Sequence, residues 1–135
     1  TSFQNGLMRS TYANLFKGQQ PTTELDVSQG VAIGGVKHAI DFFGDGSLWV
    51  VASPGHTPGS LAYVANTSKG FVLFAGDTSH TRWGWEHQVE PGEFTGDHAQ
   101  NVDSLSQLAS IAKELPAITV MTGHEWEPAG AIVAK

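Results

Sequence analysis

Apolar positions recur along the chain with two periods, and the change between them marks out its elements. Phe3, Leu7, Met8, Tyr12, Leu15 and Phe16 recur at helical spacing, which predicts an amphipathic helix near the start. Residues 19–30 are polar, contain Pro21 and read as a loop. Short apolar runs follow. Residues 39–43 and 48–52 flank Gly44-Asp45-Gly46-Ser47, and residues 61–65 and 71–75 flank a turn at 66–70. The runs at 48–52 and 71–75 are nearly continuous, which predicts strands buried on both faces. Residues 82–96 have no clear period and read as a long loop, with Trp83, Trp85 and Phe94 in it. Asp97 and Gln100 resemble a capping box. Val102, Leu105, Leu108, Ile111 (or Ala112) and Leu115 then predict a helix ended by Pro116, and residues 117–121 a last buried strand. Helix, strands, helix and strand in this order predict an α/β fold: a mixed sheet with flanking helices.

Composition narrows the chemistry. A chain of 135 residues, 40% hydrophobic and 15% charged, has the size and character of one globular domain. Thirteen Asp+Glu against seven Lys+Arg give a formal net charge of −6. No basic cluster is present, so neither nucleic acid nor a membrane is expected as a partner. There is no cysteine, which excludes disulfides, thiolate metal ligands and cysteine nucleophiles. The expected location is the cytoplasm. The six histidines are the main chemical clue.

Three segments share one design, in which an apolar strand is followed by small residues and then a ligand-type side chain. Residues 48–52 lead into Ser53-Pro54-Gly55-His56-Thr57-Pro58-Gly59-Ser60; residues 71–74 lead into Ala75-Gly76-Asp77; residues 117–121 lead into Thr122-Gly123-His124. Glycine allows a sharp turn and close approach, and imidazole and carboxylate are ligands that zinc or iron accepts. Singly, each motif has an ordinary reading as a surface histidine or a turn.

Together, the segments 48–60 (LWVVASPGHTPGS), 71–78 (FVLFAGDT) and 118–125 (ITVMTGHE) resemble the metallo-β-lactamase fold superfamily, the αββα metallo-hydrolases, in its lactonase-like branch. The resemblance covers about residues 39–125. It implies that His56 completes one metal site, that Asp77 bridges two metals and that His124 serves the second. It also implies zinc, two ions in the complete fold, and hydrolysis of a lactone, ester or related bond in a small-molecule substrate. In similar lactonase stretches a tyrosine stands at the place of His80, so His80 is a candidate to bind a substrate carbonyl or act as a general acid; its ordinary reading is a helix-start residue.

The family's His-x-His-x-Asp-His segment, which should precede His56, does not occur in this sequence; the only earlier histidine is His38. Residues 1–135 are therefore expected to be a single partial domain, the C-terminal half of the αββα fold, holding one zinc or none by itself. The inner sheet face of such a half would be apolar, so a homo-oligomer or a complementing N-terminal half is expected. The alternatives are a non-catalytic truncated module and a half-domain that binds a single metal ion. Trp83, Trp85 and His87 can wall a pocket or fill the core. Glu125 and Glu127 can orient His124 or face solvent, and His98 reads as structural.

Overall fold

The computed structural model describes residues 13–15, 17–18, 25–27, 30–33, 36–115, 117–130 and 132. Among the described residues, six strands form one sheet in sequence order: β1 (Val31–Ile33), β2 (Val36–Asp41), β3 (Leu48–Ala52), β4 (Leu61–Thr67), β5 (Gly70–Gly76) and β6 (Thr119–Thr122). Neighbours from β1 to β5 pair antiparallel, and β5 pairs with β6 in parallel. Two helices, α1 (Arg82–His87) and α2 (His98–Glu114), lie in the connection that a parallel pair requires. The sheet is therefore mixed, as the element order predicts.

Alternation along the strands decides which face is covered. Val51, Ala62, Val64, Leu73 and Ala75 are fully buried and form the core with Leu105, Leu108 and Ile111 of α2. The opposite face is not closed in the same way. The cross-strand partners Tyr63 and Phe74 are 39% and 45% exposed. The expectation of strands buried on both faces therefore holds at Val50 and Val51 of β3 and fails at Phe74 of β5. A continuous apolar run reports side-chain type on both faces; it cannot report whether a second layer covers each one.

Local chemistry sets the element boundaries. The turn between β2 and β3 begins at Asp41, whose carboxylate accepts the Gly44 and Gly46 N–H groups. Phe42 and Phe43 thus fall in the turn, exposed and stacked edge to face, and not in a strand. Residues 82–96 do not form one loop. Thr81 caps α1 by accepting the Gly84 N–H, Trp85 enters the core at 1% exposure, and Gln88 ends the helix in the left-handed region. Six residues are too few to display a helical period.

Asp97 caps α2 by accepting the Gln100 N–H, while its own N–H goes to the Gly55 carbonyl rather than to the Gln100 side chain, so only half of a capping box forms. The buried stripe of α2 begins at Asn101, not Val102, which is 47% exposed. Of the helix expected over residues 3–16, only residues 13–15 are described; they are helical, and the rest lies outside the described residues.

Candidate metal centre

Strand direction gathers the three motifs. Two antiparallel steps separate β3 from β5, so the two run the same way, and β6 runs parallel to β5. Their C-terminal ends therefore share one edge of the sheet. His56 leaves β3 there, Asp77 leaves β5 and His124 leaves β6.

The Asp77 carboxylate is the centre of the group. The Nε2 atoms of His56, His80 and His124 lie 3.7, 4.0 and 3.3 Å from its oxygens. The side chains of His56 and His80 are 16% and 17% exposed, whereas Asp77 and His124 are about half exposed. With Phe94 these four line an open cleft of about 430 Å³. Glycine permits the crowding: a Cβ on Gly123 would stand 2.6 Å from Asp77 Oδ1 and 2.7 Å from the Gly76 carbonyl oxygen.

Backbone hydrogen bonds hold the loops. The N–H groups of Gly123 and His124 donate to the carbonyls of Ser79 and His80, each at 2.9 Å, and so join the β6 end to the β5 end. The His56 loop is held instead by α2. Ser104 Oγ donates to the Pro54 carbonyl at 2.6 Å, and the His56 N–H donates to Asn101 Oδ1 at 2.9 Å.

The donor set fits a divalent cation of the zinc or iron kind. His56 Nδ1 and His80 Nε2 are buried without a hydrogen-bond partner, and buried polar nitrogen is seldom left so. Ligand atoms of His56, Asp77 and His80 all lie within 4.8 Å of one another. Burial, reinforced by His124 and, beyond the opposing pull of Asp77, by His56, holds the His80 imidazole below its ordinary pKa. It is therefore neutral at neutral pH, with a lone pair free to bind a cation or accept a proton. His80 and His124 stack at 3.9 Å with planes 9° apart. Imidazole binds a cation in its ring plane, so these parallel rings aim at different points, with Asp77 beside both.

The remaining candidates disperse. Trp85 fills the core, while Trp83 is 59% exposed and stacks on His87 at 4.5 Å. Glu125 and Glu127 turn to Arg82, accepting its backbone N–H and pairing with its guanidinium. Neither is bonded to His124. His98 pairs with Glu90 at 2.9 Å, away from the cluster. The strand carrying His38 is described, but its side chain is not. Sequence reasoning missed Asn101. The available signal was a polar residue in register with Leu105 and Leu108 on the stripe that α2 buries.

No protein-family profile matches the chain. Curated proteins do. An N-acyl homoserine lactonase AttM from Azorhizobium caulinodans is 36% identical over 86 residues, which are 63% of this chain and 32% of the relative. A gamma-lactamase FDB1 from Fusarium pseudograminearum is 39% identical over 108 residues, 77% of this chain and 25% of the relative. The chain thus spans about a third of the length of the AttM relative and a quarter of the lactamase. Among solved structures, AiiA from B. thuringiensis with N-decanoyl-L-homoserine bound at its active site matches 67% of this chain and 35% of its own, with a TM-score of 0.56 and 22% identity, a likeness of fold. A quorum-quenching N-acyl homoserine lactone hydrolase matches 59% of this chain and 32% of its own, with a TM-score of 0.52 and 26% identity. In sequence and in fold, the chain is homologous to part of the N-acyl homoserine lactonases of the metallo-β-lactamase superfamily.

Proposed function

We propose that this chain is the part of a metal-dependent, lactone-type hydrolase that supplies His56, Asp77 and His124 as metal ligands, with His80 beside them to contact substrate. The observation that carries the reading is the convergence of three imidazoles on the Asp77 carboxylate at one edge of the sheet. A bound zinc ion would polarise the carbonyl of a lactone and lower the pKa of water. His56, Asp77 and His124 would hold the metal, the Asp77 carboxylate lying between the histidines and offsetting the positive charge. His80, neutral and largely buried, would donate its N–H to the substrate carbonyl, or take a proton from the attacking water on its lone pair and return that proton to the leaving oxygen. Phe94, exposed on the rim of the cleft, would pack against the substrate's apolar part.

On this reading residues 1–135 form one partial domain, and the remaining ligands come from another segment or chain. The exposure of Tyr63 and Phe74 on the sheet face opposite α2 supports assembly with such a segment or with a second copy. The single-ion alternative, a binding half-domain without catalysis, draws its support from the close spacing of ligand atoms in His56, Asp77 and His80.

Zinc titration by calorimetry, followed by a pH-stat assay of acyl-homoserine lactone opening, tests the reading. The chain takes up zinc, and Asp77→Ala reduces zinc affinity at least 100-fold. Lactone opening that depends on added zinc and on Asp77 supports the hydrolase. Zinc uptake without turnover selects the binding half-domain, and uptake that survives Asp77→Ala overturns both.

A further inference from the structure

Asn101 is fully buried in the first turns of α2, yet neither of its side-chain hydrogen bonds stays within the helix. Its Oδ1 accepts the His56 N–H at 2.9 Å, and its Nδ2 donates to the Thr78 carbonyl at 3.0 Å. The first partner lies in the loop after β3 and the second in the loop after β5. Strand β4 separates these strands, so no ladder hydrogen bond joins the two loops directly. Ser104 and the N–H groups of Gly96 and Asp97 also hold the His56 loop, but none of them bonds to the Asp77 loop. Among the described residues, Asn101 is the side chain bonded to both.

We propose that Asn101 is a positioning residue that sets the separation of His56 from the Asp77, His80 and His124 group; its consequence for metal binding rests on the metal-site reading above. The partners dictate the side chain. An amide N–H only donates and a carbonyl oxygen only accepts, so a side chain with one acceptor and one donor on adjacent atoms is required. Aspartate would keep the bond to His56 and turn an oxygen against the Thr78 carbonyl. Alanine would release both loops. The fit is close on the other side as well: a Cβ on Gly55 would collide with the backbone and Cβ of Asn101, so the loop before His56 lies directly on the helix. By contrast, His80 and His124 are tied by backbone bonds between their own loops, independent of Asn101.

That independence separates a positioning role from general support of the fold. Nuclear Overhauser contacts between imidazole rings report the geometry: His56 and His80 have ring centroids 5.2 Å apart, and His80 and His124 3.9 Å apart. In Asn101→Ala and in the near-isosteric Asn101→Asp, the His56–His80 contact is lost while the His80–His124 contact stays. Calorimetric zinc affinity falls at least tenfold in both. The control Ile111→Val removes a methyl group from the core further along α2; it lowers the melting temperature and leaves both ring contacts and zinc affinity unchanged. Retention of the His56–His80 contact in Asn101→Asp overturns the proposal, as does loss of both ring contacts together. Should the parent chain bind no zinc, the metal reading fails, and the ring contacts alone decide the role of Asn101.

Discussion

The middles of the strands and their C-terminal ends are built to opposite rules. In the middle, Val51, Val64 and Leu73 are fully buried, cross-strand partners satisfy the backbone, and α2 closes one face. At the ends, an aspartate and three histidines crowd one edge and two buried imidazole nitrogens lack partners. The side chains of the site are thus held by backbone hydrogen bonds and close glycine contacts more than by packing of their own. Burial of apolar surface is the main favourable term in folding, while an orphaned polar atom opposes it. The comparison teaches that stability resides in the strand bodies and that chemical potential is kept at their ends, where a cation would satisfy what the fold leaves open.

Substitutions in the two regions should separate these properties. The largest effect is expected at Leu73, where Leu73→Ala empties a fully buried position between β4 and β6. A loss of about 2–5 kcal/mol is expected by urea unfolding, with zinc affinity preserved in the fraction that remains folded. Next is Gly123→Ala, whose new Cβ meets both Asp77 Oδ1 and the backbone of Gly76. It should cost about 1–3 kcal/mol, and, unlike Leu73→Ala, it should weaken zinc binding in folded protein, because the carboxylate has to move. Equal zinc affinity in the two folded variants would break the division between bodies and ends.

The smallest effect concerns Glu90, on the loop that leads from α1 to α2. Burial raises its pKa, but hydrogen bonds from His98 and the Gly92 N–H outweigh burial and hold it below the ordinary carboxylate value. A carboxyl with a lowered folded-state pKa stabilises the fold above its unfolded pKa, and that contribution is lost as pH falls through the folded value. Glu90→Gln should therefore cost roughly half a kcal/mol at neutral pH, a partly exposed pair being weak, and should flatten the stability profile below about pH 5. Chemical denaturation across that range checks it; an unchanged slope removes Glu90 from the account.

Much of the site was legible before folding was considered. His56, Asp77 and His124 each follow an apolar run and a glycine, and such a run is a local property of the chain. Strands β3 to β6, the turn at Gly44–Ser47 and the cap at Asp97 were legible for the same reason, since period and turn chemistry are written in neighbouring residues, whereas β1 was not read as a strand. Helix α1 was not, because six residues leave no period and its reason for existing is the burial of Trp85 in a core assembled from distant strands.

What the sequence determined by itself is the alternation that makes the strands, the punctuation that ends them and the ligand-type residue placed after three of them. Only the tertiary structure decided that these residues meet. Their convergence depends on β3, β5 and β6 running in one direction, which pairing between strands settles and no local pattern encodes. It also decided which polar residue serves the site. Asn101 looks like an ordinary helix residue in sequence, and only its position against two loops, 45 and 23 residues away, turns one amide group into their common tie.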